Sequence, residues 1–92
     1  MTKLTLAEIQ EKLNKLNDWS FDGKDINKEF KLTTYLEGLE LAQKIGEIAE
    51  SLDHHPLIEI DYRKVRVKIH THSVDGVTEL DFEFARSVDK LE

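Results

Sequence analysis

The spacing of the apolar residues changes period four times along this chain, and each change excludes most folds. Leu6, Ile9, Leu13 and Leu16 recur at helical spacing. Ile26, Phe30 and Leu32 then share one parity against Asn27, Glu29 and Lys31, the mark of a half-buried strand. Helical spacing returns in Leu36, Leu39, Ile45, Ile48, Ala49 and Leu52. Alternation follows in Ile58, Ile60, Tyr62, Val65, Val67 and Ile69, and a last helical stripe in Leu80, Phe84, Val88 and Leu91.

The punctuation between these stretches agrees with them. Thr5 and Glu8 form a capping box, with Leu4 and Ile9 as its hydrophobic staple, and Asn17-Asp18 ends that helix. Trp19-Ser20-Phe21 and Ile26 to Leu32 read as strands joined by the turn Asp22-Gly23-Lys24-Asp25. Thr34 with Glu37, or Thr33 as the alternative cap, opens the longest helix, from Tyr35 to Leu52, in which Gly38, Ala42 and Gly46 make a small-residue stripe that suggests close packing within or between subunits. Pro56 disfavours helical geometry at His55 and donates no backbone hydrogen bond, so the helix stops before it. Two half-buried strands then meet at a tight turn near Arg63-Lys64, and after the loop Val74 to Val77 Thr78 caps the final helix. The order α-β-β-α-β-β-α predicts an α+β two-layer sandwich, a four-stranded antiparallel sheet with three helices on one face, as a single domain over residues 1–92.

Composition narrows the classes of function. A chain of 92 residues with 39% hydrophobic and 35% charged content folds on one core, with about 5–10 kcal/mol of net stability. No apolar run nears the roughly 20 residues of a membrane span, no signal-peptide core follows Met1, and Cys is absent, so the expectation is a cytoplasmic protein without membrane contact. A net charge of −6 argues against direct nucleic-acid binding, which needs a surplus of Lys and Arg. The cluster Arg63, Lys64, Arg66, Lys68 reads as a solvated hairpin edge.

Chemistry concentrates around His54-His55-Pro56 and His72, with Glu50 before and Asp81 after. Imidazole, with an unperturbed pKa of roughly 6.5, gives and takes protons near neutrality. If the hairpin pairs across Arg63-Lys64, the residues near Leu57 lie opposite His70 to His72, and one pocket could hold His54, His55 and His72. Asp81, in the first turn of the last helix, is placed to orient an imidazole, although an acid three residues after a Thr cap is also ordinary helix-start chemistry. His70 and His72 would share a strand face about 7 Å apart. With His54 or His55 and Asp81 or Glu50 they also permit a metal-site reading.

Glu50, three residues, His54-His55-Pro56, five residues, Tyr62, nine, His72, eight, Asp81: this pattern, with Gly76-Val77-Thr78-Glu79-Leu80-Asp81 and the aromatics Trp19 and Phe30, resembles the pterin-4a-carbinolamine dehydratases from about Leu4 to Val88. The resemblance implies dehydration of 4a-hydroxytetrahydropterin to quinonoid dihydropterin, in recycling tetrahydrobiopterin or another pterin, with no metal or redox cofactor. It makes His54 and His72 the acid/base candidates, gives His55 mainly to holding the pterin, and has Glu50 and Asp81 orient or tune, with Thr71 kept for contact to the substrate. It also implies a homodimer paired through edge strands, or a homotetramer joined through helices. Animal members serve in addition as dimerisation cofactors of transcription factors, a non-catalytic alternative. Leu57 and Ile58 depart from the acidic and aromatic residues frequent after the proline, and His70 stands where a small hydroxyl residue is common.

Overall fold

The structure, a computed structural model, describes Met1–Glu92. Its elements are α1 (Leu6–Leu13), β1 (Ser20–Phe21), β2 (Ile26–Lys31), α2 (Tyr35–Leu52), β3 (Leu57–Asp61), β4 (Lys64–Ile69), a 3-10 turn (His72–Val74) and α3 (Glu79–Asp89). The four strands form one antiparallel sheet in the order β1-β2-β4-β3, the α+β sandwich expected. No helix is long and apolar enough to cross a membrane.

All three helices start on a complete capping box, Thr5/Glu8, Thr34/Glu37 and Thr78/Asp81, so two orphan donors at each start are satisfied by side chains. Strand alternation then sets the core. Ile26 pairs with Ile69 and Phe30 with Val65 on the face that α2 and α3 cover, while Asn27, Glu29, Arg66 and Lys68 point away. Ile45, Ala49, Val67, Phe82, Phe84, Ala85 and Val88 complete the interior.

The differences from expectation share a cause: periodicity names a face but not how far another element reaches over it. Leu6, Leu36 and Leu39 stand on the predicted stripes yet face solvent, Leu36 being 67% exposed. Leu80 is only half-buried and Leu91 is exposed; Phe82 and Ala85 fill the space beneath α3 instead. α1 ends at Leu13, short of Asn17, and the chain reverses through Asp18 at φ 61°. β3 is an edge strand, so Leu57, Ile60 and Tyr62 are exposed and the hairpin is half-buried only on its β4 side. Its turn is Tyr62-Arg63, one residue earlier than expected, because Asp61 and Lys64 already pair. In the small-residue stripe, a Cβ at Gly38 would lie 3.4 Å from Val65 Cγ2, whereas one at Gly46 would meet nothing within 4 Å.

Lys28 is the largest departure. It lies on the apolar parity of β2, pairs with Val67, and its side chain is 3% exposed. Its Nζ donates to Asp89 Oδ1 at 3.1 Å and to Glu92, and lies 4.8 Å from the Phe30 ring centroid. Trp19 Nε1 donates to the same Asp89 oxygen at 2.8 Å. Burial alone lowers the ammonium pKa, but the hydrogen bonds to Glu92 and Asp89 outweigh it and hold it above the ordinary lysine value.

Asp89→Ala should therefore leave a buried cation and an indole N–H short of an acceptor and cost about 2–4 kcal/mol, read by urea denaturation. A raised folded-state pKa contributes stability that is complete below the ordinary value of 10.5 and fades as pH climbs through the folded value. The gap between the parent and Asp89→Ala should thus stay constant across neutral pH and narrow only in strong alkali.

Candidate functional site

The site is built where α2 turns into β3 and β4 runs out toward α3. Two hydrogen bonds, Asp53 N–H to Glu50 O at 3.2 Å and His54 N–H to Ala49 O at 3.0 Å, close the end of α2 around Asp53 in the left-handed conformation (φ 49°). Pro56 then forces His55 into an extended backbone, where consecutive side chains point to opposite sides. The adjacent pair is split accordingly.

His54 turns inward. Its side chain is 11% exposed, and its Nε2 lies 2.5 Å from Oδ1 of Asp81, which is fully buried. Asp81 Oδ2 accepts from Thr71 Oγ1 and from the Thr78 backbone N–H, each at 2.8 Å. The Thr71 hydroxyl proton is committed to the carboxylate, so the Thr78 hydroxyl donates to Thr71 Oγ1 at 2.8 Å. A carboxylate only accepts, which places the His54 proton on Nε2. Thr71 and Gly76 close the intervening loop by two backbone bonds, Thr71 N–H to Gly76 O at 2.7 Å and Gly76 N–H to Thr71 O at 3.3 Å. The amino-terminal segment crosses that loop, with Leu4 N–H donating to Val77 O at 2.8 Å and Lys3 lying over Gly76, where a Cβ would fall 2.5 Å from Lys3 Cε.

His55 turns outward, its Nε2 2.5 Å from Glu50 Oε2. It lines a cleft of about 240 Å³ with Asp25, Leu57, Lys68, Ile69, His70 and His72. Of the residues singled out by sequence, the structure gathers His55 and His72 in the cleft and Glu50 beside it. It places His54, Thr71 and Asp81 together in the buried network behind. One pocket does not hold all three histidines of the pattern. His72 lies in the 3-10 turn rather than on a strand, and its ring centroid is 4.3 Å from that of His70.

Three lining residues escaped sequence reasoning as site residues: Asp25, Lys68 and Ile69. His70, expected as a partly exposed strand residue, is 12% exposed, and its Nδ1 lies 2.7 Å from Asp25 Oδ1. The signal was there in the register. Ile26 pairs with Ile69, so the next positions along, Asp25 and His70, face each other. That β2 lies beside β4 is a long-range fact that no local pattern carries. Asp25 is itself held, because Asp22 Oδ1 accepts from the backbone N–H of Lys24 at 3.0 Å and of Asp25 at 2.7 Å. Burial raises the Asp22 carboxyl pKa, yet those two bonds and Lys68, 3.4 Å away, outweigh it and hold it below the usual carboxylate range. No three His, Asp or Glu side chains converge as a metal-ligand set.

Comparison with known proteins identifies the family of the chain. A family model described as Pterin 4 alpha carbinolamine dehydratase matches residues 2–91. A protein of Sulfurisphaera tokodaii, provisionally named pterin-4-alpha-carbinolamine dehydratase, is 43% identical over 91 residues, covering 99% of this chain and 98% of its own. One of Picosynechococcus, named in the same way, is 41% identical over 90 residues, with 98% of each covered. A crystal structure from Brucella melitensis, described as a transcriptional coactivator/pterin dehydratase, superposes with a TM-score of 0.91 at 36% identity over 98% of both chains. A pterin dehydratase-like RuBisCO assembly factor of the alpha-carboxysome shares the fold alone, with a TM-score of 0.69 at 22% identity over 82% of this chain and 89% of that one.

Thr71→Val removes the hydroxyl that donates to Asp81 while nearly conserving shape. It should cost about 1–3 kcal/mol in chemical denaturation, because the buried carboxylate loses one of its donors.

Proposed function

Because this chain belongs to the pterin 4 alpha carbinolamine dehydratase family, we propose that its cleft dehydrates 4a-hydroxytetrahydropterin to quinonoid dihydropterin by histidine acid/base catalysis in the cytoplasm. The reaction asks for one proton onto the departing hydroxyl, whose C–O bond then breaks to release water, and one proton off the neighbouring ring nitrogen. The observation that carries the proposal is the cleft itself, which sets the imidazoles of His55 and His72 around one small concavity that Leu57 also lines. Positioned imidazoles serve both proton movements, each worth about 10²–10⁴ in rate.

The family resemblance pairs His72 with His54. The geometry favours His72 with His55 for the proton movements, since His55 is exposed and lines the cleft while His54 is largely buried and outside its lining. In this reading Glu50 orients His55, and Asp81 with Thr71 fixes His54 in the buried layer that backs the cleft. The physiological assembly we propose is a homodimer or a tetramer of such dimers. β3 supports it, being an edge strand with Leu57 and Ile60 exposed, the kind of edge a second subunit covers.

A histidine series tests the assignment. With synthetic 4a-hydroxytetrahydropterin, His55→Ala and His72→Ala should each slow formation of the quinonoid product at least about tenfold with an unaltered circular-dichroism spectrum. His54→Ala should act in large part through stability, lowering it by about 1–3 kcal/mol, because it strips a partner from buried Asp81. Parental rates in both His55→Ala and His72→Ala would refute the acid/base roles. An active parent discriminates this reading from a purely non-catalytic cofactor module. For the assembly, Ile60→Lys should shift sedimentation toward a monomer and leave the monomer's secondary structure intact.

A further inference from the structure

The four histidines differ in what holds their rings. His54 has Asp81, His55 has Glu50 and His70 has Asp25, each within 2.7 Å, but no side chain hydrogen-bonds to His72. His72 is also the one carried on a short exposed 3-10 turn rather than at the end of a long element. Of the other three rings, the one it touches is His70, at 4.3 Å between centroids with the planes tilted by 54°.

The geometry points to His70 as a positioning residue: fixed by Asp25, it holds the His72 imidazole in place across the cleft. The chain of contacts is continuous. Asp22 closes the β1–β2 turn through the backbone N–H groups of Lys24 and Asp25, and the turn presents the Asp25 carboxylate to His70 Nδ1. That bond fixes which ring nitrogen bears the proton and which way the ring faces. The face of the immobilised ring then limits the rotamers open to His72. His70 and Asp25 are 12% and 18% exposed, so their hydrogen bond is largely withdrawn from competing water, whereas His72 is exposed and would otherwise rotate freely. A base or acid held within a few tenths of an ångström of its working position gains rate chiefly through orientation. His70 thereby becomes a specific part of this chain's site, and the turn after β1 becomes one of its walls.

The value of this arrangement for turnover rests on the dehydratase reading above; the ring contact does not. The test accordingly has two arms. In the first, carbon-13 relaxation of the His72 ring is measured without substrate in the parent, in His70→Ser and in Asp25→Ala. The parent ring should be nearly as ordered as rigid backbone, for which the order parameter is about 0.85, and both variants should fall toward the flexible range, about 0.6 or below. A His72 ring as ordered in both variants as in the parent overturns the inference, and one loosened by His70→Ser alone overturns the part given to Asp25. In the second arm, with 4a-hydroxytetrahydropterin, His70→Ser should lower kcat about three- to tenfold with KM within about twofold. An unchanged kcat beside a loosened ring overturns the catalytic use of the contact. A parent without dehydratase activity sinks the proposed function instead, and the relaxation arm then decides the inference alone.

Discussion

A carboxylate with no solvent exposure is tolerable in a small domain only when its surroundings supply donors in fixed places, and Asp81 sets that condition for the rest of the molecule. Its donors come from three separate parts of the chain: the α2–β3 corner through His54, the end of β4 through Thr71, and the start of its own helix through Thr78. Meeting all of them locks together the segments that frame the cleft. The capping box of α3 is thus more than a helix start. By using an acid at the third helical position, the chain spends one side chain on the cap and on the network behind the cleft at once, and Thr71 immediately precedes the 3-10 turn that carries His72.

The opposite end of α3 shows the same logic applied to a cation. Lys28 occupies a core position of β2, and what makes it tolerable is the pair Asp89 and Glu92, 61 and 64 residues later in the chain. Between them, Phe82, Phe84, Ala85 and Val88 supply the apolar contact that presses the helix onto the sheet. α3 is consequently anchored by charge at both ends and by hydrophobic burial in the middle. Removing water from apolar surface has no directional preference, and the two ionic ends fix the rotation and axial position that burial alone would leave loose.

These two networks mark the boundary of what the sequence could disclose. Element order, the three capping boxes and the full extent of α2 were legible because they depend on residues a few positions apart, as was the meeting of the two ends of the β3–β4 hairpin. Lys28 was not, because a lysine between Ile26 and Phe30 looks like an interruption of the apolar parity until its distant acids are known. The split of His54 from His55 was readable in principle. Extended backbone after a helix sends neighbours to opposite sides, but which one faces the core depends on where Asp81 ends up. Asp25 was hidden for a third reason: its partner is chosen by the adjacency of β2 and β4, which no periodicity encodes. Exposure of Leu6, Leu36 and Leu39 belongs to the same class, since coverage is a property of neighbours.

Leu57, which departs from the family's frequent acidic residue, also acquires a meaning in the structure. It follows Pro56, pairs with Lys68, and lines the cleft on the edge strand while remaining 55% exposed. An acid at that position would add a charge to a rim that already holds Asp25 and Glu50 among its neighbours; leucine instead keeps that position apolar, on the same sheet face as Lys68. A flat heterocycle packs its faces on apolar surface and presents its polar edge to hydrogen-bonding groups. With Leu57 as its exposed apolar residue and the imidazoles of His55, His70 and His72 as polar ones, this cleft offers both kinds of contact. The exposed half of Leu57 lies on the same strand as Ile60, so an apolar rim and an unpaired strand edge occur together. A subunit pairing with β3 would bury the rim and narrow the mouth of the cleft in one step, and would thereby couple the site to assembly through a single strand.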